Sequence, residues 1–428
     1  IFSELSVPCH SFSFRHVASL VPLPMEQPDG DVQEKTMVFQ LAPPEDLALE
    51  LTAFTSAKLP MMPLEPGRMC DAGYCPQEDV ESLWREKSRL DELFDAKQDQ
   101  AYWKARDEIY PQAGDRGGPL GNRAGDKLQE IANAVGGLKV DRLENQEEVV
   151  FVDVCGAPGA WSKYLFRMGE EKRCSMKGYG FSLSRGTNEK SCTWFKQDLL
   201  SRPNFTELTG ADGTGDVCSS ENIEHAAAIV GRTADIVVAD GGFGVDRGPK
   251  GEHMENYQEI VAGSILSAEV RFALETLREG ACFICKFFDT FTHVSCGLLF
   301  IVAQLFQDVF IVKPLHSRVV NSERYLVAQR FKGITAPFSE LLEAVRRLQR
   351  SWPRPLTWTS EGPLWVLNPE HPWPDAFLSS LRKMSTTLCR RQSRALQLVL
   401  NRACELLREG VTVSEPRKKR RREKPRVW

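Results

Sequence analysis

A chain of 428 residues with 42% hydrophobic content can bury a sizeable core, as one large domain with extensions or as two domains. The formal net charge of -4 is unevenly spread: the last thirteen residues, PRKKRRREKPRVW, carry eight Lys or Arg against one Glu, a local +7 that leaves about -11 elsewhere. No apolar run reaches the length of a bilayer span and IFSELSVPCH lacks the basic start and apolar stretch of a secretory signal, so a soluble, intracellular protein is expected.

The absent initiator Met implies a fragment or a processed chain. The basic run is too densely charged to collapse; a disordered tail over 411–428 is expected, acting as a nuclear address or as a tether to nucleic acid and nuclear RNA-processing factors. Twelve cysteines without framework spacing point to reduced thiols. Cys282 and Cys285 form a C-x-x-C, but ACFICK reads as a strand, where residues three apart point to opposite faces and cannot share a metal. Cys70 and Cys75 have no second pair or nearby His, and no metal site is expected.

Residues 1–84 read as an N-terminal extension rich in Pro, acids and turn signals such as QPDG and LEPG, with no chemistry attached. Helical periodicity begins in DVESLWREKSRLDELFDAKQDQAYWKARDEIYP, and NRAGDKLQEIANAVGG reads as a helix ended by its Gly pair. Strands and helices then alternate, with VVFVDV, KGYGFSL, ADIVVAD, ACFICKFF, DVFIVKPL and RYLVAQRF as strand candidates. This alternation predicts an α/β fold, a mostly parallel sheet with helices on both faces. Only HSRVVNSE separates the last two strands, too little for a crossover helix, so they are expected to pair antiparallel. That is the layout of Rossmann-like methyltransferases. The core is expected over 85–335, with a helical C-terminal extension over 336–410 packed on it.

After the first of these strands stands the turn DVCGAPGAW. In such sheets ligands sit beyond the carboxyl ends of the strands, where glycines let backbone approach closely. The turn has neither the G-x-G-x-x-G spacing of a dinucleotide clamp nor the G-K-[ST] of a P-loop, which disfavours pyrophosphate and triphosphate ligands. Asp153 suits a cation, while Gly156, Ala157 and Gly159 leave room for a compact chain, so an ammonium-bearing amino-acid ligand fits. A purely structural strand-to-helix corner is the plain alternative.

Residues 153–161 resemble D-x-C-x-x-P-G-G-[FW], the S-adenosyl-L-methionine loop of the FtsJ-like ribose 2'-O-methyltransferases, with Ala160 in place of the second Gly. The resemblance implies S-adenosyl-L-methionine as cofactor, met by Asp153, Cys155, Gly156, Ala157, Pro158, Gly159 and Trp161. GADGTGDV is similar to the family stretch whose carboxylate accepts from the adenine amine, a role that falls to Asp216, with Asp212 second. No acid follows KGYGFSL, where many methyltransferases place one for the ribose hydroxyls.

Methyl transfer from a sulfonium to a ribose hydroxyl is an in-line displacement by a poor nucleophile, whose proton must be drawn away. A lysine can take it if burial and a neighbouring cation depress its own pKa, with carboxylates orienting the amines. The FtsJ-like family carries a Lys-Asp-Lys-Glu tetrad, matched here by Lys127 in NRAGDK, Asp240 ending ADIVVAD, Lys286 ending ACFICK and Glu323 in NSERY. Singly, each has a bland reading, as an exposed helix lysine, a turn acid, a strand-end solvator and a hairpin charge. Jointly, in order and in context, they imply a catalytic set.

ADGGF, ACFICKFFDTFT and SRVVNSERYLV look like the messenger-RNA cap branch of the family, and KARDEIYPQAGDRGGPLGNRAGDK resembles its segment for substrate and cofactor. This implies that Asn122 touches S-adenosyl-L-methionine and that Arg106, Arg116 and Asn321 touch capped RNA, arginine suiting phosphate through its planar fork. MENYQEI resembles a substrate-facing segment, preceded here by a longer loop. The expected function is cap-specific mRNA 2'-O-methyl transfer in the nucleus, at the first transcribed nucleotide. The alternatives are the same chemistry on the second cap nucleotide or on small nuclear, transfer or ribosomal RNA, and a catalytically silent RNA-binding relative. A nicotinamide oxidoreductase is excluded by the missing phosphate-binding glycines.

Overall fold

The computed structural model describes residues 35–43, 59, 61–63, 69–111, 123–184, 194–242, 255–354, 360–368 and 373–409; the basic tail, Arg116 and Asn122 lie outside them. Strands β1 (Met37–Gln40) and β2 (Met61–Pro63) precede helices α1 (Gln77–Asp95), α2 (Asp99–Ile109), α3 (Arg123–Ala134) and α4 (Asp141–Glu144). The chain then alternates through β3 (Val149–Val154), α5 (Ala160–Lys172), β4 (Met176–Phe181), α6 (Gln197–Leu200), β5 (Phe205–Leu208), α7 (Ser220–Val230) and β6 (Ala234–Ala239). There follow α8 (Gln258–Thr276), β7 (Leu277–Phe287), α9 (His293–Leu305), β8 (Phe306–Lys313), β9 (Arg324–Phe331), α10 (Ala336–Ser351), β10 (Glu361–Pro363) and α11 (Asp375–Arg408).

The main sheet runs β1-β8-β9-β7-β6-β3-β4-β5. Strands β3 to β7 pair in parallel, and β9 lies antiparallel between β7 and β8. All six expected strands are present, as is the antiparallel terminal hairpin of a Rossmann-like methyltransferase sheet. β3 and β6 are buried at every position, which is why VVFVDV and ADIVVA read as unbroken apolar runs.

Two strands of the main sheet were not legible, nor were β2 and β10, which pair in a separate two-stranded sheet. β5 is a four-residue edge with an exposed Thr206, too short and polar to stand out. β1 pairs antiparallel with β8 and covers its outer edge, so part of the N-terminal segment belongs to the sheet. Cys282 packs with Val149, Phe151 and Ile236 on one face of the sheet, while Cys285 packs with Leu266 and Val294 in the core of the other, the opposition expected of strand positions three apart.

A third cluster joins α1, α2 and α11 through Leu83, Ala105, Leu396 and Val399. The expected boundary at residue 85 falls inside α1, which packs in one piece against the C-terminal helix. A buried ion network, Lys87 to Asp289 at 3.3 Å and Asp289 to Arg324 at 2.8 Å, ties this layer to the first residue of β9.

Candidate active site

Beyond β3 the chain turns through Cys155 (φ 56), a cis Ala157–Pro158 bond and Gly159 (φ 97) into α5. Asp153 is fully buried, and its Oδ2 accepts from the Ser162 amide at 2.9 Å and the Ser162 hydroxyl at 2.6 Å, stapling the strand end to the first turn of the helix. Its Oδ1 is buried with no partner among the described residues. Burial outweighs the Ser162 bonds and pushes the Asp153 carboxyl up to about 7.

A Cβ at Gly156 would lie 2.1 Å from Asp153 Cγ, and one at Gly159 would lie 2.5 Å from Leu199. The protein's own side chains lie where a Cβ would stand at both positions, so Gly is required there for their close approach. The Cys155 sulfur lies close to Gly241 and to the Glu269 carboxylate, whose negative charge, after burial, pushes the thiol well up. Trp161 is buried and donates Nε1 to the Ala124 carbonyl at 2.7 Å, joining the loop to α3.

Asp216 Oδ1 accepts from the Cys218 amide at 2.9 Å, and its Oδ2 pairs with Arg354. Asp212 accepts from the Thr214 amide at 2.9 Å and hydroxyl at 2.7 Å, closing its own turn. Gly215 brings this loop so close to the end of β4 that a Cβ would lie 1.9 Å from the Ser182 carbonyl oxygen. Both acids thus stand at the sheet edge that carries the β3 turn, and both are engaged within the protein. Gly159 gives α5 no side-chain cap and Asp153 Oδ2 takes the Ser162 amide, so among the described residues the buried Oδ1 without a partner lies beside the remaining first-turn amides, which no side chain caps. That pairing suits a zwitterionic amino-acid group, its ammonium to the acid and its carboxylate to the helix N-terminus.

The four residues of the expected tetrad come together. Lys127 Nζ donates to Glu323 Oε1 at 2.8 Å and to Tyr325 Oη at 2.7 Å. Tyr325 Oη stands 3.0 Å from Glu323 Oε1 and 3.1 Å from Asp240 Oδ1, and its single proton serves one carboxylate at a time. Lys286 Nζ donates to the Asp240 carbonyl at 2.7 Å and lies 3.3 Å from Asp240 Oδ1. The carboxyl ends of β6 and β7 meet the start of β9 because β9 runs antiparallel to β7. Lys127 reaches them from α3 and is only 7% exposed, which removes its reading as a surface helix lysine.

Burial pushes the Lys286 ammonium down, but Asp240, Glu323 and Glu269 together outweigh it and hold the group above the ordinary lysine value. The expected depressed lysine is therefore corrected for the protein by itself, because three carboxylates face the amine. Burial also opposes the Glu323 charge, yet Lys127, Lys286 and Lys313 bring that carboxyl down to about 2. The Tyr325 phenol is pushed well up by burial and by Asp240 and Glu323, and stays protonated.

Residue typing missed Tyr325 and Lys313. Glu323 and Tyr325 share a strand face, a period-2 signal that was available in SERY. Lys313, at the end of β8, donates to Asn321 O, Asn321 Oδ1 and Glu323 O, each at 2.7 Å, and so shapes the β8–β9 loop. Asn321 spends its side-chain oxygen on Lys313, and Arg106 is buried on α2, paired with Asp107 at 2.5 Å and lying 4.7 Å above the Trp103 ring. Neither is bonded to the tetrad through its side chain in these contacts. MENYQEI opens as a single 3-10 turn, Glu255–Tyr257, leading into α8.

A family model described as FtsJ-like methyltransferase matches residues 120–331, the stretch that contains the β3 turn and all four tetrad residues. Together with the sheet order it defines the class, a Rossmann-like methyltransferase. The cap-specific mRNA (nucleoside-2'-O-)-methyltransferase 1 of Trypanosoma cruzi is 38% identical over 74% of this chain and 84% of that protein. The protein of the same name from Trypanosoma brucei brucei is 40% identical over 62% of this chain and 70% of its own length, and that of Mus musculus is 29% identical over 83% and 42%. The chain belongs to the FtsJ-like methyltransferase family, alongside these cap-specific mRNA (nucleoside-2'-O-)-methyltransferases.

Proposed function

We propose that this methyltransferase transfers a methyl group from S-adenosyl-L-methionine to the ribose 2'-hydroxyl of a cap-proximal mRNA nucleotide, the first transcribed one. The observation that carries the reading is the continuous bonded set of Lys127, Glu323, Tyr325, Asp240 and Lys286 at the carboxyl edge of the sheet. When bound, S-adenosyl-L-methionine supplies a methyl on positively charged sulfur. Lys286 takes the proton of the attacking hydroxyl. Its ammonium must first lose its own proton, which Asp240 and Glu323 oppose and which positive charge held beside Asp240 favours. Lys127 fixes Glu323, and the two acids orient both amines.

Asp153 holds the cofactor ammonium, with the backbone of Cys155, Gly156, Ala157, Pro158 and Gly159 around it and Trp161 behind the loop, and Asn122 is assigned to the cofactor by the family resemblance alone. Asp216 takes the adenine amine by exchanging its pairing with Arg354. Arg106, Arg116 and Asn321 take the capped RNA, Arg106 and Asn321 by giving up their present partners. The basic tail supplies a nuclear address.

Labelled-methyl transfer to short capped and uncapped RNAs, followed by nuclease mapping, tests the reading. Transfer confined to capped RNA, at a ribose next to the cap and weakening as salt rises, supports it. Equal transfer to both RNAs would replace it with 2'-O-methylation of another RNA, and RNA binding without transfer would replace it with a silent relative.

A further inference from the structure

Glu269 has no part in the roles assigned above, yet it is completely buried on α8. Its Oε1 accepts from the Gly241 amide at 3.0 Å, its Oε2 accepts from the Cys285 thiol at 3.3 Å, and the Cys155 sulfur lies close beside the same carboxylate. Each partner adjoins a site residue: Gly241 follows Asp240, Cys285 precedes Lys286, and Cys155 lies two residues after Asp153. The contact is close, since a Cβ at Gly241 would lie 2.2 Å from Glu269 Oε1 and 3.1 Å from the Cys155 sulfur.

We infer that Glu269 is a positioning residue for methyl transfer, one buried carboxylate that fixes the ends of β3, β6 and β7 against each other next to the strand end that carries Lys286. The inference rests on the reading of Lys286 as proton acceptor. The ionisable groups facing Glu269 are Cys155, Cys285, Lys286 and, more remotely, Cys218; those facing Lys286 are Asp240, Glu323 and Glu269 itself. Burial pushes the Glu269 carboxyl up to about 7, so its charge changes near neutral pH. An amide at this position keeps an oxygen for Gly241 and removes the charge, whereas leucine removes both.

The test uses the full chain with Glu269→Gln and Glu269→Leu. In donor-free protein, the pH midpoint for acylation of Lys286 by acetic anhydride, read by peptide mass spectrometry, is expected to move to lower pH in Glu269→Gln. The rising limb of the pH–rate profile on capped RNA is expected to move the same way. Glu269→Leu is expected to speed hydrogen exchange at the Gly241 amide and to lower kcat, each by about tenfold or more, with KM for donor and RNA changed by less than about threefold. An unmoved acylation midpoint in Glu269→Gln overturns the inference, as does unchanged Gly241 exchange in a folded Glu269→Leu. Should the leucine variant not fold, Glu269→Gln decides alone. Absence of transfer by the wild-type protein on capped RNA would defeat the functional reading, while the acylation and exchange measurements would still decide the role of Glu269.

Discussion

Lys127 and Tyr325, nearly two hundred positions apart in the chain, are bonded at 2.7 Å, the lysine donating to the phenol oxygen. That bond occupies an acceptor site on the hydroxyl and leaves its proton for Asp240 or Glu323, both within 3.1 Å. One buried side chain therefore links the lysine on α3 to both carboxylates of the tetrad.

Tyr325→Phe removes this link without changing the ring. Steady-state kinetics is expected to show kcat reduced by about tenfold with donor affinity unchanged, and denaturant unfolding a loss of about 1.5–3 kcal/mol, the scale of a hydrogen bond to charged groups. Wild-type kcat in the variant would mean that Lys127 and Glu323 hold the geometry by themselves.

Asp153→Asn changes how stability depends on pH. The Asp153 carboxyl is raised from 3.8 to about 7 in the folded protein. Between those values the folded state keeps a proton that the unfolded state has lost, so the Asp153 contribution is full below 3.8 and is lost as pH rises toward about 7. The loss amounts to at most about 1.4 kcal/mol per pH unit. Urea unfolding at about pH 5 and about pH 7.5 is expected to show a smaller difference in Asp153→Asn than in wild type. An identical difference would show that Asp153 does not change its proton affinity on folding.

Sequence legibility followed chemistry that is local in the chain. The unbroken apolar runs of β3 and β6, the short link between β8 and β9, and the residue types at 127, 240, 286 and 323 are local patterns, and they led to the sheet and to the set that the structure gathers. The sign of the Lys286 shift was not legible, because it depends on how closely Asp240 and Glu323, and behind them Glu269 from α8, crowd the amine against the effect of burial. Neither was the packing reason for Gly156, which lies in the return of the Asp153 carboxylate over the turn. β1 escaped because an edge strand of four residues owes its pairing to β8, far along the chain.

Lys313→Met is expected to loosen the β8–β9 loop, since three bonds of 2.7 Å to Asn321 and Glu323 are lost together. Burial holds Lys313 well below the ordinary lysine value, and methionine fills similar space without the donors. KM for RNA should rise by about tenfold while the Kd of the donor, measured by calorimetry, stays within about twofold. A change in donor affinity alone would place the effect of Lys313 on the wrong side of the site.

Gly156→Ala is expected to cost about 1–3 kcal/mol of stability and most of the donor affinity, because the added Cβ would meet the Asp153 carboxylate at 2.1–2.4 Å. Thermal unfolding with and without S-adenosyl-L-methionine reads both effects, the second as a lost shift in Tm.

Lys286→Ala offers the most direct measurement: single-turnover methyl transfer to capped RNA beside calorimetric titration of S-adenosyl-L-methionine. Removing the amine that donates to the Asp240 carbonyl at 2.7 Å should lower the transfer rate by about 10²–10⁴-fold, with donor affinity retained within about threefold. Transfer at a rate close to wild type, with the donor bound normally, would contradict the assignment of Lys286 as the proton acceptor.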